Sequence, residues 1–310
     1  MFSNRTRNIM TLCDVSMRDG IQSLKSPTGK PILSPQNKYY IVKKLAQYGF
    51  DNIEIGSIVS KSIVEMSTTK DLIKMSKSIN TNKMVLVPNY NNFNELLEVD
   101  SVNTVSLITS CSESFTIKNT KMTIEKSQNE IQNIIERIKH FNKFNEQKLN
   151  ARIYISCCFG CPIENGFSKI YVNRIMNIFA KFSGYNCVKE IVICDTNGSF
   201  DNYGSFDNYL FEDYLCYFAN FADRNKLSFH IHKRNPTLQW ACEIVGKTLS
   251  RTVSLDCSMG NMGGCSSLDN MPPNLPTTLM ARAYNMVSGE NKYNVEHLEE
   301  LDKMFMINLV

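Results

Sequence analysis

The chain lacks the features that mark several classes of protein. No apolar run approaches the roughly 18 residues that a membrane-spanning helix requires. The net charge of +4 is too small and too scattered to indicate a nucleic-acid partner. Nothing resembles a secretory signal peptide, so the 11 cysteines do not indicate a disulfide framework. We therefore expect a cytoplasmic protein with reduced thiols that binds neither membranes nor nucleic acid.

Histidine is also scarce, since the chain has only four. Two of them, His230 and His232, share one tripeptide, whereas His140 and His297 stand alone. Asparagine is abundant, with 34 residues, so a motif match that depends on one Asn carries little weight alone.

A regular alternation of strand-like and helix-like segments predicts the fold. The 310 residues fit one α/β barrel, commonly about 250 residues, with an extension. Amphipathic stretches such as 36–48, 122–144 and 171–182 predict helices between strands. A doubly wound sheet would need a Gly-rich first turn, which is missing. The eight apolar, β-branched segments that predict strands are 10–15, 52–58, 84–88, 104–109, 152–157, 190–194, 227–232 and 252–257.

Eight parallel strands joined by crossover helices predict an α/β fold of the (β/α)8 TIM-barrel type. Two further helices are predicted at 277–287 and 295–306. We assign residues 1–283 to a catalytic barrel domain and 284–310 to a C-terminal helical extension packed on the barrel.

Polar side chains concentrate where the predicted strands end, which is where this architecture builds its active site. His230 and His232 point to the same face of strand 7, because side chains alternate along a strand. Two imidazoles with a carboxylate such as Asp19 suit a divalent cation. The alternative is a pair of histidines hydrogen-bonded in the barrel core. The other residues at strand ends are Arg18, Gln22, Glu54, Ser57, Asn89, Ser112, Asp195 and Cys265.

Other motifs also have a structural interpretation. Arg18 beside Asp19 could be a surface ion pair in a turn, which would stabilise little. Gly263 and Gly264 before Cys265 could form a tight turn with an idle thiol. The Cys-Cys-Phe-Gly-Cys segment that begins at Cys157 lacks a second ligand pair at zinc-finger spacing, so we set a zinc site aside.

Taken together, the motifs resemble the 3-hydroxy-3-methylglutaryl-CoA lyase family of metal-dependent TIM-barrel lyases and synthases. The resemblance covers residues 10–287, with the motifs in the same order. Arg-Asp-Gly and His-x-His mark the superfamily, whereas Ser-Cys-x-x-Gly-Cys-Pro and Gly-Gly-Cys indicate the lyase branch. The segments that carry it begin at Arg18, Ile53, Val85, Ser112, Ser156, Asp195, His230 and Gly263.

The resemblance implies retro-Claisen cleavage of an acyl-CoA to acetyl-CoA and acetoacetate, and a homodimer. It implies a magnesium or manganese ion bound by Asp19, His230, His232 and Asn274. Arg18 would stabilise the enolate oxygen, and Cys265 would take part in proton transfer. His230 is the candidate general base, with Glu54 and Asp195 for proton relay and orientation. Gln22, Ser57, Asn89 and Ser112 are the candidate substrate-binding residues.

Two other functions remain open from the sequence. One is a sister activity, an aldolase or a synthase that condenses acetyl-CoA with an oxo acid. The other is a degenerate barrel kept as a binding protein, which a duplicated Ser-Phe-Asp-Asn-Tyr at 199–203 and 205–209 would suit. Lys233 and Arg234, which follow His232, suit it too, because two cations there would oppose a bound metal unless they turn to solvent or meet a phosphate.

Overall fold

A closed barrel of eight parallel strands forms the centre of the molecule, with each strand paired to its neighbours in chain order. The structure is a computed structural model that describes residues 10–60, 63–164, 169–198, 226–250, 252–264 and 271–309. The predicted TIM barrel is confirmed. The strands are β1 Thr11–Asp14, β2 Asn52–Ser57, β3 Asn82–Leu86, β4 Thr104–Ser110, β5 Asn150–Ser156, β6 Val188–Asp195, β7 Leu227–Ile231 and β8 Ser254–Cys257.

Helices cover the outside of the barrel. The long helices agree with the prediction to within a few residues at each end. The duplicated pentapeptide lies outside the described residues. The α-helices are α1 Pro35–Gln47, α2 Thr69–Met75, α3 Tyr90–Leu97, α4 Glu113–Thr120, α5 Ile124–Phe144, α6 Lys169–Phe182, α7 Leu238–Thr248, α8 Thr277–Ser288 and α9 Val295–Ile307.

The C-terminal helices pack on the barrel. Helix α8 packs against α7 and β1, and α9 packs against α8 and α1. The predicted boundary at residue 283 lies inside α8, and the division of the chain there stays a prediction. In the described part of the chain, no helix is long and apolar enough to cross a membrane.

Side-chain hydroxyls and amides fix where several helices begin. Ser34, Thr123 and Thr237 each accept a hydrogen bond from a backbone N–H of the first turn of α1, α5 and α7. Such N-caps satisfy donors that have no partner within the helix. These caps place the helix starts directly after the loops that surround the barrel mouth.

The strands alternate between two different cores. Ile53 and Ile55 on β2, like Ile191 and Ile193 on β6, belong to the large apolar core that includes the helix side chains. The residues between them face the barrel interior, where Leu86, Tyr154, Val192 and Cys194 form a smaller cluster. Buried charges, among them Glu54, Arg152 and Asp256, share this interior. The barrel therefore holds polar side chains beneath its mouth.

Candidate active site

A cavity of about 600 Å³ opens at the carboxyl ends of the strands. Its lining is divided in character. Polar and ionisable groups come from β1, β2 and β7, namely Arg18, Asp19, Gln22, Ser57, His230 and His232. Apolar residues, among them Met66, Leu86 and Ile108, line other parts of the cavity together with polar residues such as Asn89 and Lys121. The cavity can therefore place the apolar part of a ligand beside a charged reaction centre.

A short π-helix, Ser16–Gly20, carries Arg18 and Asp19 into the cavity directly after β1. Both side chains are buried, which excludes the surface ion pair. Gly20 packs closely against Ser258, because a Cβ there would lie 2.5 Å from Oγ and would force that side chain to shift. The absence of a side chain at Gly20 thus lets the π-helix pack against the chain after β8.

Each histidine of the pair is held through its Nδ1 atom. His232 Nδ1 lies 2.9 Å from the carbonyl oxygen of Pro272, and His230 Nδ1 lies 3.0 Å from Asp256 Oδ2. Since a carbonyl and a carboxylate only accept hydrogen bonds, we assign the proton of each neutral ring to Nδ1. The two Nε2 atoms, 2.9 Å apart, then direct lone pairs toward each other. Burial and the neighbouring His230 lower the pKa of His232 to about 4, which favours its neutral form.

The residues present fit a divalent cation. Ligand atoms of Asp19, His230 and His232 all lie within 4.8 Å of one another. The amide nitrogen of Asn274 donates to Asp19 Oδ2 at 2.8 Å, while its buried Oδ1 has no hydrogen-bond partner among the described residues. Gly263 completes the enclosure, with a φ of +107° and no room for a Cβ, which would lie 2.0 Å from Asn274 Nδ2. A carboxylate, two imidazoles and an amide oxygen form a donor set for such an ion.

Opposite charges compensate the burial of Arg18 and Asp19. Burial acts to raise the pKa of Asp19, but the charge of Arg18 and the hydrogen bond from Asn274 lower it below its usual value. Arg18 donates to Asp19 and, at 2.5 Å, to Glu54 Oε2, and it lies over the Tyr154 ring. Within the described chain Nη2 of Arg18 makes no hydrogen bond, although Arg18 lines the cavity. These N–H groups are available to a ligand.

The predicted substrate-binding residues divide between two locations. Gln22, Ser57 and Asn89 line the cavity, and Asn89 is also the N-cap of α3. Ser112 is not among the lining residues that the structure describes. It is the N-cap of α4, accepting from Phe115 N and donating to Glu164.

The other predicted catalytic residues also differ in location. Glu54 is fully buried beneath Arg18. Asp195 is the last residue of β6, and it lies on the same side of the strand as Ile191 and Ile193, which belong to the large apolar core. Its neighbours Cys194 and Thr196 line the cavity, and Asp195 is not among the described lining residues. Because side chains alternate along a strand, Asp195 points away from the cavity. Cys265 lies outside the described residues.

Two residues of the site were missed in the sequence. Tyr154 lines the cavity and donates to Glu54 Oε2, and Asp256 contacts His230. Both lie within strands rather than after them, so a search of strand ends does not reach them. The signal that could have found Asp256 is a carboxylate within β8, adjacent to the strand that carries the histidines.

Lys233, which follows the histidine pair, contacts an aromatic ring. Its ammonium lies 5.0 Å from the centroid of the Trp240 ring on α7. A cation over an aromatic face is stabilised by the ring quadrupole. This contact gives the Lys233 ammonium a partner on α7.

Comparison with known proteins gives one family and several relatives. A family model described as HMGL-like matches residues 9–235. The mitochondrial hydroxymethylglutaryl-CoA lyase of Mus musculus is 25% identical over 299 residues, covering 93% of this chain and 82% of the relative. The hydroxymethylglutaryl-CoA lyase of Bacillus subtilis strain 168 is 28% identical over 261 residues, covering 83% of this chain and 78% of the relative.

Solved structures share the fold. The HMG-CoA lyase of Bacillus subtilis has a TM-score of 0.79 at 22% identity, covering 97% of this chain and 94% of that one. The HMG-CoA lyase of Acinetobacter baumannii, solved with coenzyme A and 3-methylmalate, has a TM-score of 0.78 at 20% identity, covering 99% and 93%. At these identities the likeness establishes the shared barrel.

Proposed function

The chain belongs to the HMGL-like family, and on this basis we propose that it is a divalent-metal-dependent carbon–carbon lyase. Its substrate would be 3-hydroxy-3-methylglutaryl-CoA, or a similar 3-hydroxyacyl-CoA, cleaved to acetyl-CoA and acetoacetate. The observation that carries the proposal is the cluster of Asp19, His230 and His232 beside Arg18 in the cavity. Relatives named hydroxymethylglutaryl-CoA lyase support the substrate.

Asp19, His230, His232 and the Oδ1 atom of Asn274 would hold the ion, which we propose is magnesium or manganese. A bound divalent cation supplies Lewis acidity that lowers the pKa of a hydroxyl on the substrate. Asp19 contributes the negative charge of the ligand set, and its lowered pKa keeps that charge at neutral pH.

Arg18 stabilises the charge that develops on the thioester. In a retro-Claisen cleavage the C3 hydroxyl loses its proton, the C2–C3 bond breaks, and the electron pair moves into an enolate of acetyl-CoA. The free N–H groups of Arg18 can donate to that enolate oxygen. Glu54 and Asp19 hold the guanidinium in place beforehand, so donors are preorganised for the transition state rather than the substrate.

Two proton transfers complete the reaction. One removes the proton of the C3 hydroxyl, and the other delivers a proton to C2 of the enolate to give acetyl-CoA. We propose Cys265 for proton transfer at C2, by its resemblance to the family thiol. Glu54 acts as a positioning residue through Arg18, and Asp195, which does not line the cavity, is assigned no step.

The test is incubation of the purified chain with 3-hydroxy-3-methylglutaryl-CoA and Mg²⁺ or Mn²⁺. We expect acetoacetate and acetyl-CoA in equal amounts, with His232→Ala as the inactive control. Failure of the wild type to release either product would contradict the proposal. Condensation of acetyl-CoA with an oxo acid would instead identify a synthase, and ligand binding without turnover a binding protein.

A homodimer and a cytoplasmic location also belong to this proposal. Both follow from the resemblance and from the sequence composition. Light scattering coupled to size-exclusion chromatography would test the dimer, with a mass near twice 35.4 kDa as the expected result.

A further inference from the structure

Asp256 lies beneath the histidine pair, inside the barrel and out of the cavity. Its side chain is 1% exposed, and its Oδ2 atom lies 3.0 Å from His230 Nδ1. It is not among the described residues that line the cavity. Asp256 can therefore act on a substrate only through the cavity-lining residues that it contacts, His230 and Tyr154.

Two further contacts fix the Asp256 carboxylate. Arg152 Nη2 donates to Oδ1 at 2.5 Å, and the Tyr154 hydroxyl lies 3.1 Å from Oδ2. Arg152 is itself fully buried and is held by Glu190 at 3.2 Å and by Ser254 at 3.1 Å. A carboxylate with this many fixed donors has one orientation, and so does the imidazole bound to it.

We propose that Asp256 is a positioning residue for the metal ligand His230. It stabilises the Nδ1–H tautomer of the ring and orients Nε2 toward the ion. The inference rests on the metal site of the proposed function. A carboxylate behind a ligand histidine fixes its tautomer and raises its basicity. Pro272 has the same role for His232, through a backbone carbonyl that no substitution can remove.

This arrangement revises one role inferred from the resemblance. With Nδ1–H donated to Asp256 and Nε2 on the ion, His230 has no nitrogen left to take a proton. His230 is then a ligand and not the general base. The proton of the C3 hydroxyl must leave through another group that lines the cavity.

The test measures the affinity of the full chain for Mn²⁺, from the electron paramagnetic resonance signal of the free ion. We expect Asp256→Asn to weaken binding by about 10- to 100-fold. Glu190→Gln is the matched control, because Glu190 pairs with the same Arg152 but makes no contact with His230. We expect it to keep the wild-type affinity. Circular dichroism checks that both variants fold, and Asp256→Glu is the second variant if Asp256→Asn does not.

A second readout reports the tautomer directly. The chain has only four histidines, so ¹⁵N spectra of the Mg²⁺-loaded, histidine-labelled protein are simple. We expect His230 as the Nδ1–H form in the wild type and a mixture in Asp256→Asn.

Equal Mn²⁺ affinity of Asp256→Asn and the wild type would overturn the inference and leave the proposed function intact. An equal loss of Mn²⁺ affinity in Glu190→Gln would overturn it as well, since any disturbance of the buried Arg152 network would then weaken binding, with no special role for the contact between Asp256 and His230. A wild type that binds no Mn²⁺ would overturn both.

Discussion

Two layers of buried polar side chains in the barrel differ in how their atoms are hydrogen-bonded. In the lower layer, Arg152 meets Glu190, Asp256, Ser254 and Tyr154, so opposite charges lie within hydrogen-bond distance. In the upper layer, two Nε2 atoms face each other at 2.9 Å, and Asn274 Oδ1 has no partner in the described chain.

The difference separates structure from function. A satisfied buried network fixes one conformation. A buried polar atom without a partner lowers the stability of the folded state unless a ligand supplies the missing contact. The upper layer therefore offers atoms that a bound cation would satisfy, and the lower layer holds His230 in place beneath them. His230 belongs to both, with one nitrogen in each.

Removal of Arg152 should break the lower layer. Arg152→Met leaves Glu190 and Asp256 as buried carboxylates without their cation, and we expect a loss of about 3–5 kcal/mol in the free energy of unfolding. Urea unfolding measures it. Lys139→Met, which removes an ion pair with Glu136 on the solvent-exposed face of α5, should leave the free energy of unfolding close to that of the wild type. Equal losses in the two variants would mean that the network adds no special stability.

Substitution of Arg18 tests the role of the upper layer in catalysis through kcat and KM. Arg18→Gln removes the guanidinium assigned to the enolate oxygen, so kcat should fall by about 100- to 1000-fold while KM changes little. Steady-state assays with 3-hydroxy-3-methylglutaryl-CoA measure both constants. The control is Arg282→Gln on the exposed face of α8, which should match the wild type. A rise in KM at unchanged kcat would assign Arg18 to substrate binding instead.

Asp14 extends the comparison to a buried aspartate with the opposite pKa shift from Asp256. Burial raises the pKa of Asp14 to about 6, despite hydrogen bonds from Ser16 and Thr277, whereas Arg152 helps to hold that of Asp256 below its usual value. The folded state thus binds the Asp14 proton more tightly than the unfolded state, and stability is lost as pH rises from about 4 to 6.

We therefore expect Asp14→Asn to gain stability relative to the wild type across that range, by up to about 3 kcal/mol above pH 6. Urea titrations at a series of pH values measure the difference. A difference that does not vary with pH would show that the pKa of Asp14 is the same in the folded and unfolded states.

Ser112 gives the smallest expected effect. Ser112→Ala should cost about 1 kcal/mol of stability, as loss of an N-cap does, and leave kcat and KM unchanged because Ser112 does not line the cavity in the described structure. Thr123→Ala, at the N-cap of α5, is the structural control. An increased KM in Ser112→Ala alone would restore its predicted role in substrate binding.

The sequence predicted the barrel and the residues of the cluster because both depend on periodicity. Strand alternation places His230 and His232 on one face of β7. Asp19 follows β1, and the carboxyl ends of all the strands lie at the same end of the barrel, so Asp19 is close to both histidines. It did not predict Tyr154 and Asp256, whose roles depend on contacts across the barrel interior. The role of Ser112 in substrate binding stays a prediction, because a residue that follows a strand can serve as an N-cap rather than line the cavity. The alternation along β6 places Asp195 on the same face as Ile191 and Ile193. That pattern predicts that Asp195 lies on the face opposite the cavity.

The central claim is that the upper layer is a metal site for carbon–carbon cleavage. Its most direct test is turnover of 3-hydroxy-3-methylglutaryl-CoA by chelator-treated protein as Mn²⁺ is added back. We predict no acetoacetate without metal and full recovery at one ion bound per chain. Turnover that persists in the chelated protein would contradict the claim.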